Sequence, residues 1–199
     1  MPTSELLKTV FCYGDSNTFG HDPRSYVGDR YPDDLRWTGR LRAYGWEAYN
    51  CGLNGRQIPT GEAETQAALA QITSHLPADV VVVMLGSNDL LWNPAFRAED
   101  AAARMEDFLR VLLPRIGEAK LLLIAPAAMQ HGFWVEEDRL ITESERLGAL
   151  YADVAERLGI GFADAAEWDI ALGADGLHFT EDGHRVFADR LGPALTALF

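Results

Sequence analysis

The run Val80–Leu85 reads Val-Val-Val-Val-Met-Leu, apolar at every position. A strand with one wet face alternates apolar and polar residues, so a run of this kind must be covered on both sides, as in a parallel sheet between helix layers. Four further short apolar runs, 9–13, 47–51, 121–124 and 160–163, recur along the chain. Helical periodicity fills the intervals. Within 99–113, Met105, Phe108, Leu109, Leu112 and Leu113 fall on one helical face before Pro114. Within 136–158, Leu147, Leu150, Tyr151, Val154 and Leu158 do the same before Gly159, and 183–198 carries Phe187, Leu191 and Leu195 behind Thr180 as N-cap. Strands alternating with helices predict an α/β fold: a three-layer α/β/α sandwich with a mostly parallel five-stranded sheet, formed as a single domain over residues 1–199. A functional site is then expected along the carboxyl ends of the strands. The segment 17–36, rich in Gly, Pro, Asp, Tyr and Arg, reads as a long loop overhanging that edge.

Composition removes whole classes of function. No apolar run approaches the ~20 residues that a membrane-spanning helix needs, so no membrane association is expected. A formal charge of -13 works against nucleic acid, whose phosphates need clustered Lys and Arg, and favours a small neutral substrate. The densest cationic stretch, Arg24 to Arg42, reads as an ion-paired loop. Cys12 and Cys51 make no disulfide framework and are expected as buried thiols. The N-terminus lacks the basic start of a secretory leader, which predicts a cytoplasmic protein. No His or Cys cluster has metal-ligand spacing, and neither a P-loop nor a dinucleotide fingerprint is present, so no metal and no cofactor is expected.

Four polar segments end strands or precede the last helix. Gly14-Asp15-Ser16 follows the first apolar run and puts a serine at the sheet rim; alone it could equally be a turn. Gly52, after the second, allows close backbone approach to a ligand. Asn88, in Gly86-Ser87-Asn88-Asp89 after the third, offers a side-chain amide of the kind that stabilises oxyanions, or else caps a helix. In Asp175-Gly176-Leu177-His178 the carboxylate can fold back onto the imidazole three residues on. Glu181-x-x-His184 repeats that spacing inside the expected first turn of the last helix, where both side chains should project outward, so His178 is preferred as the base.

In order and spacing the four segments resemble the blocks of the SGNH (GDSL-like) hydrolases over nearly the whole chain. Leu35-Arg36-Trp37-Thr38-Gly39, Gly52-Leu53 and Leu177-His178-Phe179-Thr180 further resemble the arylesterase and acyltransferase branch. The resemblance implies a flavodoxin-like sheet, a small-molecule ester substrate, and acyl transfer through a covalent acyl-enzyme. Ser16 would be the nucleophile, His178 the base and Asp175 its orienting acid; Ser16, Gly52 and Asn88 would form the oxyanion hole. It also implies a homo-oligomer, with the Arg- and aromatic-rich loop as an interface or a lid.

Two residues depart from the family pattern: Asn17 stands where an apolar residue is common, and His21 where the branch carries an aromatic. Both suggest a more polar pocket and short acyl groups, acetyl above all, on aryl, sugar or other small alcohols. Asp15, Asn17, His21, Trp37, Trp92, His131 and Phe133 are the expected substrate-pocket residues, with Phe19 and Trp134 as further apolar walls. A lysophospholipase or thioesterase, or a non-catalytic carbohydrate-binding protein on the same fold, are the alternatives.

Overall fold

In the computed structural model, which describes residues 7–25 and 27–199, five parallel strands form one sheet. They are β1 (Lys8–Gly14), β2 (Trp46–Gly52), β3 (Val80–Met84), β4 (Lys120–Ala125) and β5 (Gly161–Asp164), in the order β2-β1-β3-β4-β5. The chain winds outward from β1 to β2, then crosses to β3 on the other side of β1. That reversal opens a crevice at the carboxyl ends of β1 and β3, where sheets of this kind bind ligands.

The unbroken apolar runs are explained by two cores. From β1, β3 and β4, Phe11, Tyr13, Val81, Val83, Leu121 and Leu123 point to one face, against helices α3 (Gly61–Thr73), α5 (Ala98–Leu112) and α6 (Asp138–Leu158). Val10, Cys12, Val80, Val82, Met84, Leu122 and Ile124 point to the other, against the short α2 (Trp37–Arg40) and the long α7 (Glu181–Thr196). Both faces of the sheet are thus sealed, with the helix stripes read from the periodicity turned inward. Two more short helices, α1 (Ser16–Phe19) and α4 (Ser87–Trp92), follow β1 and β3 directly at the crevice.

Helix α3 has no counterpart among the sequence expectations. Its sequence, GEAETQAALAQIT, buries only Ala68, Leu69 and Ile72, too narrow an apolar stripe to stand out as a period. Segment 17–36 opens with a helical turn and continues as irregular but pinned chain: Arg30 Nε donates to Phe19 O at 2.6 Å, and Tyr31 N donates to Gly20 O at 2.8 Å. Two of its three arginines are ion-paired, Arg24 with Asp22 and Glu181 and Arg36 with Asp33, whereas Arg30 lies over the Phe19 ring. Cys12 is buried, which pushes its thiol far up, whereas Cys51 is half-buried. Among the described residues no helix is long and apolar enough to cross a membrane. The reading of the N-terminus as lacking a leader falls mainly on residues 1–6, outside the described residues.

Candidate active site

Strand β1 ends at Gly14, where a Cβ would lie 2.1 Å from Thr18 Oγ1, so the chain can turn this tightly only with glycine. Asp15 then caps α1, its Oδ1 accepting the Asn17 N–H at 2.9 Å, and Ser16 opens the helix at the sheet rim. Burial raises the Asp15 carboxyl to about 6, although the Asn17 N–H and His178 pull against it.

The second half of the site comes from the loop before α7. Gly176, at φ 77°, bends the chain so that Asp175 Oδ1 accepts the backbone N–H groups of Leu177 and His178, each at 2.9 Å. Asp175 Oδ2 lies 2.7 Å from His178 Nδ1, and His178 Nε2 lies 2.9 Å from Ser16 Oγ. A carboxylate only accepts, so Nδ1 carries the proton and Nε2 accepts from the serine hydroxyl. Burial pushes the Asp175 carboxyl up, but the hydrogen bonds from His178 and Leu177 outweigh it and hold the group below the ordinary carboxyl range. All three side chains are largely buried.

Two devices join these halves. Asn17 Nδ2 donates to Leu177 O at 3.1 Å and its Oδ1 accepts the Phe179 N–H at 2.9 Å, so one amide clasps the chain on both sides of His178. Residues 130–134 brace the other flank: Gln130 N donates to Gly176 O, Phe133 N to Ala174 O and Trp134 N to Asp175 O. Gly132 lies so close beneath that a Cβ there would be 2.2 Å from the Asp175 carbonyl carbon.

Across from the histidine, Asn88 Nδ2 donates to Arg56 O at 3.0 Å, leaving its second amide hydrogen uncommitted. Loop 53–58 is tied to α4 by Gln57 Nε2 donating to Asn88 O and by Ile58 N donating to Asp89 Oδ2. The Arg56 guanidinium lies over the Tyr13 ring and donates to Gly14 O and Cys51 O, fixing the loop against the ends of β1 and β2. Asp89 is buried against Arg104 at 2.8 Å; burial raises its carboxyl to about 6, against the pull of the Ile58 N–H and the arginine.

These elements enclose a cavity of about 160 Å³. Its polar lining is Ser16, His178, Asn88, His21, Asn54 and Gly55, and its apolar lining is Leu91, Trp92, Trp134 and Leu177. The glycine of the oxyanion site differs from expectation. The Gly52 N–H donates to Asn50 Oδ1 at 3.0 Å, and a Cβ on Gly52 would lie 2.0 Å from Phe19 N, so this glycine serves backbone packing and is absent from the cavity lining. Gly55 lines the cavity in its place, at φ 73°. The Asn54-Gly55 pair, a common left-handed turn signal, is the sequence sign of that position.

Of the expected pocket residues, His21 and Trp92 line the cavity. Asp15 and Asn17 are buried beneath it; Asp15 Oδ1 accepts from a backbone N–H, and both ends of the Asn17 amide are taken by the backbone. Trp37 is fully buried in the core against Phe187, its indole N–H donating to Asn17 O at 2.9 Å. Phe133 lines a separate groove with Tyr31 and Arg24, and His131 is exposed beside Asp138. His184 does not project outward: it is fully buried against Tyr31 and Phe179, and its Nδ1 accepts the Trp37 N–H at 3.4 Å. Burial, then Arg36 and Arg40, lowers it to about 3, which makes it a neutral core residue rather than a rival base. Among the described residues no group of three or more His, Cys, Asp and Glu is placed to hold a metal ion.

The sequence profile of the GDSL-like Lipase/Acylhydrolase family matches residues 12–186. The chain belongs to this family. Its GDSL-like fold is similar to that of the aryl esterase of M. smegmatis, at TM-score 0.85 and 26% identity over 96% of this chain and 100% of that one. It is likewise similar to a protein of Agrobacterium tumefaciens str. C58 assigned as an arylesterase, at 0.84 and 30% over 97% and 100%. A carbohydrate acetylesterase family member from Sinorhizobium meliloti superposes at 0.84 with 26% identity over 96% and 99%. No curated protein matches the chain in sequence.

Proposed function

We propose that this GDSL-like hydrolase is a serine carboxylic esterase that removes short acyl groups, acetyl foremost, from small alcohols. The observation that carries the reading is the unbroken hydrogen-bonded series from Ser16 Oγ through His178 to Asp175, at 2.9 and 2.7 Å, opening on a small cavity. In acylation His178 Nε2 takes the hydroxyl proton as Ser16 Oγ attacks the ester carbonyl, and Asp175 stabilises the imidazolium. The oxyanion is received by the N–H of Ser16, the N–H of Gly55 and the free amide hydrogen of Asn88. Gly55 here takes the part expected of Gly52, whose N–H is already occupied. The imidazolium then protonates the departing alkoxide. Water, deprotonated by the same nitrogen, releases the carboxylic acid and restores Ser16. An alcohol entering in place of water would accept the acyl group instead, so acyl transfer belongs to the same proposal.

The structural similarity to an aryl esterase and to a carbohydrate acetylesterase family member supports the ester class. A cavity of about 160 Å³ supports short acyl chains over the long chains of a lysophospholipase. The test is hydrolysis of p-nitrophenyl acetate, butyrate and octanoate by wild type and Ser16→Ala. The expected order is acetate over butyrate over octanoate, with a loss of roughly 10⁴-fold or more in the variant. Undiminished turnover in Ser16→Ala, or a preference for octanoate, overturns the reading.

A further inference from the structure

His21 is a polar cavity residue that the acyl-transfer steps leave unused. Gly20, at φ 89°, turns the chain out of α1, and the His21 N–H is held by Ser16 O at 3.0 Å. The imidazole lands against the ring of His178, with centroids 4.3 Å apart and planes at 48°. Its Nδ1 is buried without a hydrogen-bond partner among the described residues, Nε2 is not buried in that way, and the residue lines the cavity. An unpaired buried N–H is rarer in folded proteins than an unpaired acceptor, so the proton belongs on Nε2, which then presents a donor to the cavity. Burial, and then the neighbouring His178, lowers the His21 pKa, which favours the neutral ring.

The chemistry fixes which part of a substrate meets that donor. The leaving oxygen must reach His178 Nε2 to be protonated, so the alcohol portion lies on the histidine side and the oxyanion on the Asn88 side. His21, packed on His178, therefore flanks the alcohol. We propose that His21 is a specificity-determining residue whose Nε2–H donates to a hydroxyl on the carbon next to the ester-bearing carbon of the alcohol, which makes monoacyl esters of polyols the preferred substrates. This rests on the esterase reading above.

The test compares 2-hydroxyethyl acetate with propyl acetate, two esters with the same number of heavy atoms that differ by a terminal hydroxyl in place of a methyl. Wild type is expected to favour the hydroxylated ester in kcat/KM by about tenfold, the worth of one well-made neutral hydrogen bond. In His21→Phe the ratio should collapse toward one, and His21→Gln, which keeps an N–H donor, should restore part of it. A wild-type ratio near one, or a ratio unchanged in His21→Phe, overturns the inference. The wild-type ratio decides the matter if the phenylalanine variant folds poorly. Hydrolysis of p-nitrophenyl acetate by wild type, run alongside, separates the two claims. Its absence defeats the esterase reading, whereas its presence without discrimination defeats only the role of His21.

Discussion

Asn17 follows the serine directly and holds the histidine loop with both ends of its amide, to Leu177 O and from Phe179 N. A buried side chain that satisfies two backbone groups is costly to remove, because truncation strands both. Asn17→Ala is expected to lower unfolding free energy by about 1–3 kcal/mol in urea titrations. It should also lower kcat more than it raises KM, since the distance between His178 and Ser16 is what it sets; a variant with wild-type kcat would contradict this. At this scale the sequence was legible where chemistry dictates spacing. Asp175 and His178 lie three residues apart because a carboxylate must fold back onto its imidazole, and that is visible in one dimension. Asn17 and Trp37 were read as pocket residues because polarity and aromaticity say nothing of direction. Their partners lie 160 and 20 residues away, on other elements. Gly52 and Gly55 are separable only once the Asn50 side chain is seen to take the first N–H.

Loop 130–135 between β4 and α6 behaves as a brace for the loop that carries Asp175, with three backbone hydrogen bonds across and Gly132 packed beneath. Gly132→Ala is expected to push that loop away from His178. Overpacking of this kind costs about 1–3 kcal/mol of stability, and displacing Asp175 from His178 in the proposed triad is expected to cost roughly 10²-fold in kcat. Thermal unfolding and steady-state kinetics check the pair, and an alanine variant with unchanged kcat would remove the brace from the account. The strands were legible as short, near-continuous apolar runs, and the three long helices because each buries an apolar face with a clear period. Helix α3 was not, since alanines rather than large side chains make most of its contact, and the short α1, α2 and α4 are fixed by caps and strand ends rather than by periodicity.

The molecule places two buried carboxyls, Asp15 and Asp89, beneath the crevice, and burial raises both to about 6. An unfolded Asp titrates near pH ~4, so between the two values these carboxyls bind more protons in the folded chain than in the unfolded one, and their contribution to stability rises as pH falls from about 7 to about 5, while His184, lowered to about 3, works against it over the same range. Asp175, Asp22, Glu99 and Glu106 are shifted the other way, chiefly by hydrogen bonds with His178 and arginines and with backbone N–H groups. Their contribution is present above the ordinary carboxyl range and is lost as pH falls through their lower folded values, below about pH 4. The unfolding midpoint of wild type relative to that of Asp15→Asn should therefore rise as pH falls from about 7 to about 5; a difference that does not change with pH would contradict the assignment. The whole design, with order reversal at β1 and β3 and three loops converging on one small cavity, has as its central claim an activated Ser16. The most direct measurement is intact-mass and peptide analysis after treatment with a fluorophosphonate. A single adduct on Ser16, absent in Ser16→Ala and greatly slowed in His178→Ala, is the predicted result. No adduct, or one on another serine such as Ser87 or Ser144, would contradict it.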